Sequence, residues 1–314
     1  MKTTIIRIVT RKSPLALWQA NYVKHALEKA HPHLQVEVMG ILTMADRLWA
    51  MPLTRIGGKG LFVKELEQAI LEHRADIAVH SLKDMPVEFP GGLILGAICK
   101  REDPRDVLIA KQVSQLQDLP DNAILGTSSL RRQAQLAALR PDLNIVPLRG
   151  NVGTRLEKLQ RGEMSAIVLA AAGIQRLGLA NEISSYFATD VIIPAIGQGA
   201  VGIECREDDD VARELIARLD DAATRYCVTA ERAVNARLGG NCKVPIAAYA
   251  QLADGEIHLQ AMVGKPNGSQ ILKTYRSDII ANATTLGIQV AEALLAQGAA
   301  DILREFTEQN DNAE

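Results

Sequence analysis

The sequence predicts two consecutive α/β domains followed by a small α+β domain with an antiparallel sheet. Three observations carry this. Short apolar runs alternate with longer apolar-periodic segments from residue 4 to about residue 205, the pattern of strands and helices taken in turn. A charged, proline-broken stretch (100–106, Lys-Arg-Glu-Asp-Pro-Arg-Asp) interrupts that alternation, and the pattern then begins again. After residue 220 the order changes to a helix, three alternating strands and a closing helix, which suits an antiparallel sheet with helices on one side.

Each element has a local reason. Residues 4–10 read as a strand. Ser13 is a natural N-cap and Pro14 a natural first helical residue, so a helix runs to about residue 30. A second strand spans 35–42, a loop spans 43–60 and ends in Gly57-Gly58-Lys59-Gly60, and a helix follows from 61 to about 73. Ile77, Ala78 and Val79 form a buried-type strand that runs out into Ser81, Lys83 and Asp84 and stops at Pro86. Residues 91–98 give another strand, and 100–106 read as a hinge.

The second domain repeats the scheme. Strands are predicted at 123–125, 143–147 and 166–169, and helices at 130–139, from the 149–155 turn to about 161, and in a small-residue segment carrying Arg176. Residues 194–199 read as a second crossing, and 201–205 as a strand returning to the first sheet. The expected domains are therefore 1–99 with 200–219, then 100–199, then 220–314. In the last, a helix at 221–238 leads into the loop Gly239-Gly240-Asn241-Cys242. Strands at 246–253, 256–264 and 270–277 follow, the first two joined by an Asp254-Gly255 turn. A helix starts near Ala283, and the polar tail from Thr307 is expected to fray.

Composition narrows the function. Aromatics are 4% of 314 residues, which argues against base-stacking surfaces, and a net charge of −2 leaves no general grip on polyanions. No apolar run reaches membrane-spanning length, and the first residues have no signal-peptide layout. The four cysteines form no Cys-x-x-Cys pair or zinc-finger spacing, and the six histidines are scattered, so no metal is implied. Free thiols in a cytoplasmic protein fit best.

Several cations stand where helices begin. Arg11 and Lys12 precede the first, Lys59 the second, and Arg131, Arg132 and Arg155 sit in the first turns of later ones. The helix dipole makes each of these positions unfavourable by about a few tenths of a kcal/mol unless an anion binds there. The pattern points to one cleft that takes several carboxylates or phosphates, with arginine's planar fork favouring carboxylates. Asp84, beside Lys83 at a strand's carboxyl end, stands where ligands collect in open α/β sheets, and a carboxylate there suits a reacting cation. Cys242, in a glycine-flanked loop next to Lys243, can present a reactive thiol.

Seven stretches carry a family resemblance: Thr10 to Gln19, Gly57 to Glu65, His80 to Pro86, Gly126 to Arg132, Leu148 to Arg155, Gly197 to Cys205 and Gly239 to Pro245. With them the chain closely resembles the porphobilinogen deaminases over nearly its whole length. The resemblance implies two domains like the type II periplasmic binding proteins facing a cleft, and a third domain carrying a cofactor. It implies a transferase that joins four porphobilinogen units head to tail into hydroxymethylbilane and releases ammonia at each step. The primer would be a dipyrromethane held by a thioether to Cys242. Lys83, Ser81, Thr127, Ser128, Ser129, Arg131 and Arg132 would bind that cofactor. Arg11, Ser13, Gln19, Arg149, Arg155 and Arg176 would bind substrate and the growing chain. Asp84 would be the catalytic carboxylate facing the pyrrole nitrogens, and the protein would be a monomer without nucleic-acid or membrane partners.

The loop after residue 42 departs from the family. Where the family has Thr-x-Gly-Asp and then Asp-x-Pro-Leu, this chain has Thr43-Met44-Ala45-Asp46 and Ala50-Met51-Pro52-Leu53. The resemblance implies a lid that retains Asp46, Arg55 and Lys59, and Ala45 takes positive φ less readily than glycine. The competing reading is a non-catalytic or lid-impaired carboxylate-binding homologue of the same fold.

Overall fold

The structure, a computed structural model, describes residues 4–44, 63–240 and 244–311, with side chains described as far as residue 306. In chain order the elements are β1 (Thr4–Arg11), α1 (Pro14–Ala30), β2 (Leu34–Ile41), α2 (Lys64–Leu71), β3 (Ile77–Ser81), β4 (Leu93–Ile98), β5 (Asp106–Ala110) and β6 (Ile124–Gly126). Then come α3 (Leu130–Leu139), β7 (Asn144–Val146), α4 (Val152–Gln160), β8 (Ala166–Ala170), α5 (Ala171–Arg176), β9 (Ser185–Tyr186), β10 (Val201–Arg206) and α6 (Asp210–Ala217). The chain closes with α7 (Ala222–Arg237), β11 (Ile246–Ala253), β12 (Glu256–Gly264), β13 (Ile271–Ile279), α8 (Ala283–Ala296) and α9 (Ala299–Asp311). They gather into two compact units, one reaching to Glu102 and rejoined by Ala200–Arg225, the other Asp103–Gly199 with the chain from Tyr226.

In the first unit the sheet order is β2-β1-β3-β10-β4. β1 is parallel to β2 and β3, and β10 is antiparallel to β3 and β4. The strand after the second crossing therefore does return to the first sheet, and all six of its residues are buried. Side chains alternate between faces. Ile6, Ile8, Val79 and Ile203 pack with Val23, Leu27 and Ile216 on one face, whereas Val9 and Ala78 pack with Leu66, Ala69 and Ile70 of α2 on the other. Ser13 caps α1 as expected, accepting from Ala16 N–H at 3.3 Å.

The second unit holds a sheet of order β7-β6-β8-β5-β9. β6 is parallel to its neighbours and β5 antiparallel to both of its own. The hinge read at 100–106 ends one residue early, because Asp106 opens a buried strand. Its charge looked like a loop signal in sequence, but it is neutralised inside the core. The helix α6 likewise has no counterpart in the sequence reading.

The C-terminal sheet runs β11-β12-β13, all antiparallel. Asp254 and Gly255, at φ +51° and +82°, make its first hairpin turn, the conformation that Asp-Gly supplies. α7, α8 and α9 pack on the sheet through Val234, Leu286, Val290, Leu294 and Ile302. Gly298, at φ +99°, separates α8 from α9. The expected single closing helix is thus two, and the segment read as frayed from Thr307 remains helical to Asp311. Among the described residues no single helix is long and apolar enough to cross a membrane.

Candidate active site

The first unit carries a pocket lined by Arg11, Ser13, Gln19, Val63, Val79, His80, Ser81 and Asp84, among others. Local structure puts these groups together. Arg11 ends β1, Ser13 caps α1, and β3 delivers His80 and Ser81 before a 3₁₀ turn over Leu82–Asp84. Leu82 is buried and anchors that turn, leaving Asp84 exposed and Lys83 half-buried. Gln19, 1% exposed, locks α1 to the end of β3, because its amide donates to Ser81 Oγ at 2.9 Å and accepts from it at 3.1 Å.

The second unit carries a cationic cluster at the start of α3. Arg131 Nη1 donates to Asp106 Oδ2 at 2.6 Å and to Ile193 O at 2.7 Å. Arg132 donates through Nε and Nη2 to Asp106 Oδ1 at 3.0 and 2.8 Å, and through Nη1 to Val168 O. Gln198 adds a third donor to Asp106 at 3.0 Å. Burial pushes the Asp106 carboxyl up, but Arg131 and Arg132 outweigh it and hold it well below the usual range. Burial in turn lowers Arg131, against the pull of Asp106. Arg131 Nε is buried with no partner. Two guanidiniums against one carboxylate leave a single net positive charge.

Around this cluster the turns are tightly made. Ser129 caps α3, its Oγ accepting from Arg132 N–H at 3.4 Å. Thr127 Oγ1 accepts from Ser129 N–H, and Ser128 Oγ donates to Leu148 O at 2.9 Å. Asn151 caps α4. Arg155 Nε bonds back to Gly150 O at 2.8 Å, where φ is +116°. Arg149 is half-buried in the same turn. Arg176, at the end of α5, donates to Gly199 O at 2.8 Å.

Of the residues singled out in the sequence, the first unit thus brings Arg11, Ser13, Gln19, Ser81 and Asp84 to one pocket, with Lys83 in the same turn. The second groups Thr127, Ser128, Ser129, Arg131 and Arg132 at one helix start. Cys242, Asp46, Arg55 and Lys59 lie outside the described residues, as do Ala45 and Ala50. Asp106, Gln198, Glu204 and Glu67 escaped the sequence reading. The available signal for Asp106 was its position directly before the apolar run Val107-Leu108-Ile109, where a charge must find a partner.

Solved structures with a broad likeness include the methionine binding protein MetQ, at 14% identity and a TM-score of 0.45, over 69% of this chain and 89% of that one. A nutrient binding protein from Burkholderia cenocepacia bound to methionine matches at 13% identity and a TM-score of 0.44, over 68% and 91%. A periplasmic substrate-binding protein of an ABC transporter from Coxiella burnetii matches at 15% and 0.43, over 70% and 94%. Two family models match far more specifically. Residues 6–214 fit "Porphobilinogen deaminase, dipyromethane cofactor binding domain", and residues 225–296 fit "Porphobilinogen deaminase, C-terminal domain". Together these matches span both units and almost all the elements described above, and the chain belongs to the porphobilinogen deaminase family, transferases of tetrapyrrole biosynthesis that work with a dipyrromethane cofactor.

Proposed function

We propose that the pocket around Ser81 and Asp84 is where this transferase carries out its chemistry, with Asp84 as the catalytic carboxylate. The observation that carries this reading is the convergence of Arg11, Ser13, Gln19, Ser81 and Asp84 on one pocket. Each porphobilinogen bears an acetate, a propionate and an aminomethyl group on a pyrrole. When the C–N bond breaks, its electron pair leaves with ammonia and the pyrrole becomes an azafulvene cation. A fixed carboxylate stabilises that cation by preorganised electrostatics and can take or return a proton. Arg11, Ser13, Gln19, Arg149, Arg155 and Arg176 bind the carboxylates of substrate and product chain.

The cationic cluster fits the cofactor's carboxylates, since Arg131 Nε is buried without a partner and the Asp106 network keeps one positive charge in excess. Arg131, Arg132, Ser129 and Lys83, with Thr127, Ser128 and Ser81, hold the group. When bound, the dipyrromethane supplies the pyrrole carbon to which the first substrate unit is joined. Cys242 is its thioether anchor, and Asp46, Arg55 and Lys59 belong to a lid whose Ala45 and Ala50 alter closure. We read the chain as three domains (1–99 with 200–219, 100–199 and 220–314) and as a cytoplasmic monomer that engages neither nucleic acid nor membrane. Cys99, Cys205 and Cys227 are buried and outside any disulfide, which suits a reducing compartment.

The test is intact mass under denaturing conditions together with steady-state kinetics. Wild type should carry the mass of two linked substrate pyrroles, and Cys242→Ser should lack it. Asp84→Asn should keep that mass and lose about 100-fold or more in kcat. Near-normal kcat in Asp84→Asn would remove the role given to that carboxylate.

A further inference from the structure

The turn that carries Lys83 and Asp84 is flanked by apolar side chains. Asp84 is exposed, whereas Leu82 and Met85 are 2% and 8% exposed. The turn closes through Met85 N–H, which donates to Leu82 O at 3.1 Å. An exposed carboxylate is placed by the backbone that bears it, and here that backbone is fixed by its two buried flanks.

Both flanks seat on β10. That strand runs antiparallel to β3, with Val201 opposite Ser81 and Gly202 opposite His80. The pairing continues one step past the end of β3, because Leu82 N–H donates to Ala200 O at 3.1 Å. At Gly202 the strand has no side chain, and the turn takes that space. A Cβ there would lie 2.7 Å from Met85 Sδ and 2.9 Å from Leu82 Cδ1, with Leu95 Cδ1 of β4 at 3.2 Å. Non-bonded heavy atoms settle at about 3.5 to 4.0 Å, so Leu82 and Met85 would both have to withdraw. They are buried in a close-packed interior with little free room, and the displacement passes to the backbone between them, which is that of Lys83 and Asp84. Upstream, Gln19 grips Ser81 and Thr10 Oγ1 donates to Val79 O at 3.2 Å. The end of β3 is thus pinned, and the turn is the part that gives.

We propose that Gly202 is a positioning residue for the reaction, the seat on which Leu82 and Met85 set the turn and so the Asp84 carboxylate, a role that rests on the reading of Asp84 given above. Gly202 is buried and lies outside the pocket lining, so it acts through the turn.

The same sheet supplies a matched control. A Cβ at Gly96 in β4 would lie 2.5 Å from Ile216 Cδ1 and 2.8 Å from Cys205 Sγ. Those atoms belong to the core beneath α6, in which neither Leu82 nor Met85 takes part. The experiment compares kcat and KM of Gly202→Ala and Gly96→Ala with wild type. Each is measured as holoenzyme well below its melting temperature, with kcat normalised to the cofactor content found by intact mass. Both variants should lower the melting temperature. Only Gly202→Ala should lower kcat, by about tenfold or more, the scale of loss when a reacting group is displaced by a fraction of an ångström, while KM stays within about twofold. Unchanged kcat in Gly202→Ala overturns the proposal. An equal loss in Gly96→Ala overturns it too, because the effect would then be a general loosening of the sheet. Should Gly202→Ala fail to fold, Met85→Val thins the same contact from the turn's side and leaves β10 intact. It should lower kcat about threefold or more at nearly constant KM, and an unchanged kcat there again overturns the proposal. Asp84→Asn, run in parallel, separates the two ideas. Retained turnover there sinks the Asp84 reading and with it the route by which Gly202 acts. Lost turnover there, with unchanged kcat in Gly202→Ala, sinks only the role of Gly202.

Discussion

Asp106 shows how a single buried residue can hold together a cationic cluster that lies far from it in sequence. It is fully buried and receives bonds from Arg131, Arg132 and Gln198. The cations at the start of α3 run against the helix dipole, and Asp106 supplies part of the negative charge that makes them tolerable. Asp106→Asn preserves shape but leaves two guanidiniums facing each other without their counter-charge. Breaking a buried network of this kind costs about 3 kcal/mol or more, measurable by urea denaturation. The same variant should lose cofactor mass, since Arg131 and Arg132 would no longer be held. A loss below about 1 kcal/mol with full cofactor content would show that the backbone acceptors Ile193 O and Val168 O suffice.

At the scale of elements, close approach decides where glycine must stand. Gly287 lies on α8 against α7, where an added Cβ would overlap Ala230 O and come within 2.6 Å of Ala233 Cβ. The obstacle is backbone, which cannot swing aside. Gly287→Ala should therefore cost about 1 to 3 kcal/mol and lower the melting temperature, although alanine is the better helix former. No change in melting temperature would mean that the two helices slide apart freely. α7 precedes in sequence Cys242, the cofactor anchor proposed above. Helices were the most legible elements in the sequence. Ser13-Pro14, Ser129 and Asn151 stand at their starts, and such caps are written locally. β5 was not legible, because Asp106 reads as a loop residue until its long-range partners are known.

For the molecule as a whole, buried carboxyls set opposite pH trends. Asp106 is held low, so its contribution is present above the unfolded carboxyl range and lost as pH falls through that range and below. Glu67 is pushed up to about 7. The folded state then holds a proton that the unfolded state has released between roughly pH 4.5 and 7, so stability falls as pH rises across that window. Glu67→Gln should match wild type near pH 4. It should be the more stable protein at pH 8, by on the order of 2 to 3 kcal/mol. Chemical denaturation at the two pH values checks this, and an equal difference at both would show that Glu67 does not titrate in that window.

What the sequence determined by itself is what is encoded over short spans. The alternation of strands and helices, the Asp254-Gly255 hairpin, the capped helix starts and the family motifs around Asp84, Arg131, Arg155 and Cys242 all follow from neighbouring residues. The tertiary structure decided the rest. It inserted β10 between β3 and β4, brought His80 to Glu204 across 124 positions and closed Arg131 and Arg132 onto Asp106 from 25 and 26 positions away. It also buried Glu67 on a helix whose nearby Glu65 is only half-buried. The physical reason is that charge and burial are properties of surroundings. A carboxylate in the chain is only an acid, and the fold determines which cations it meets, how much water it keeps and so whether it stays ionised or keeps its proton.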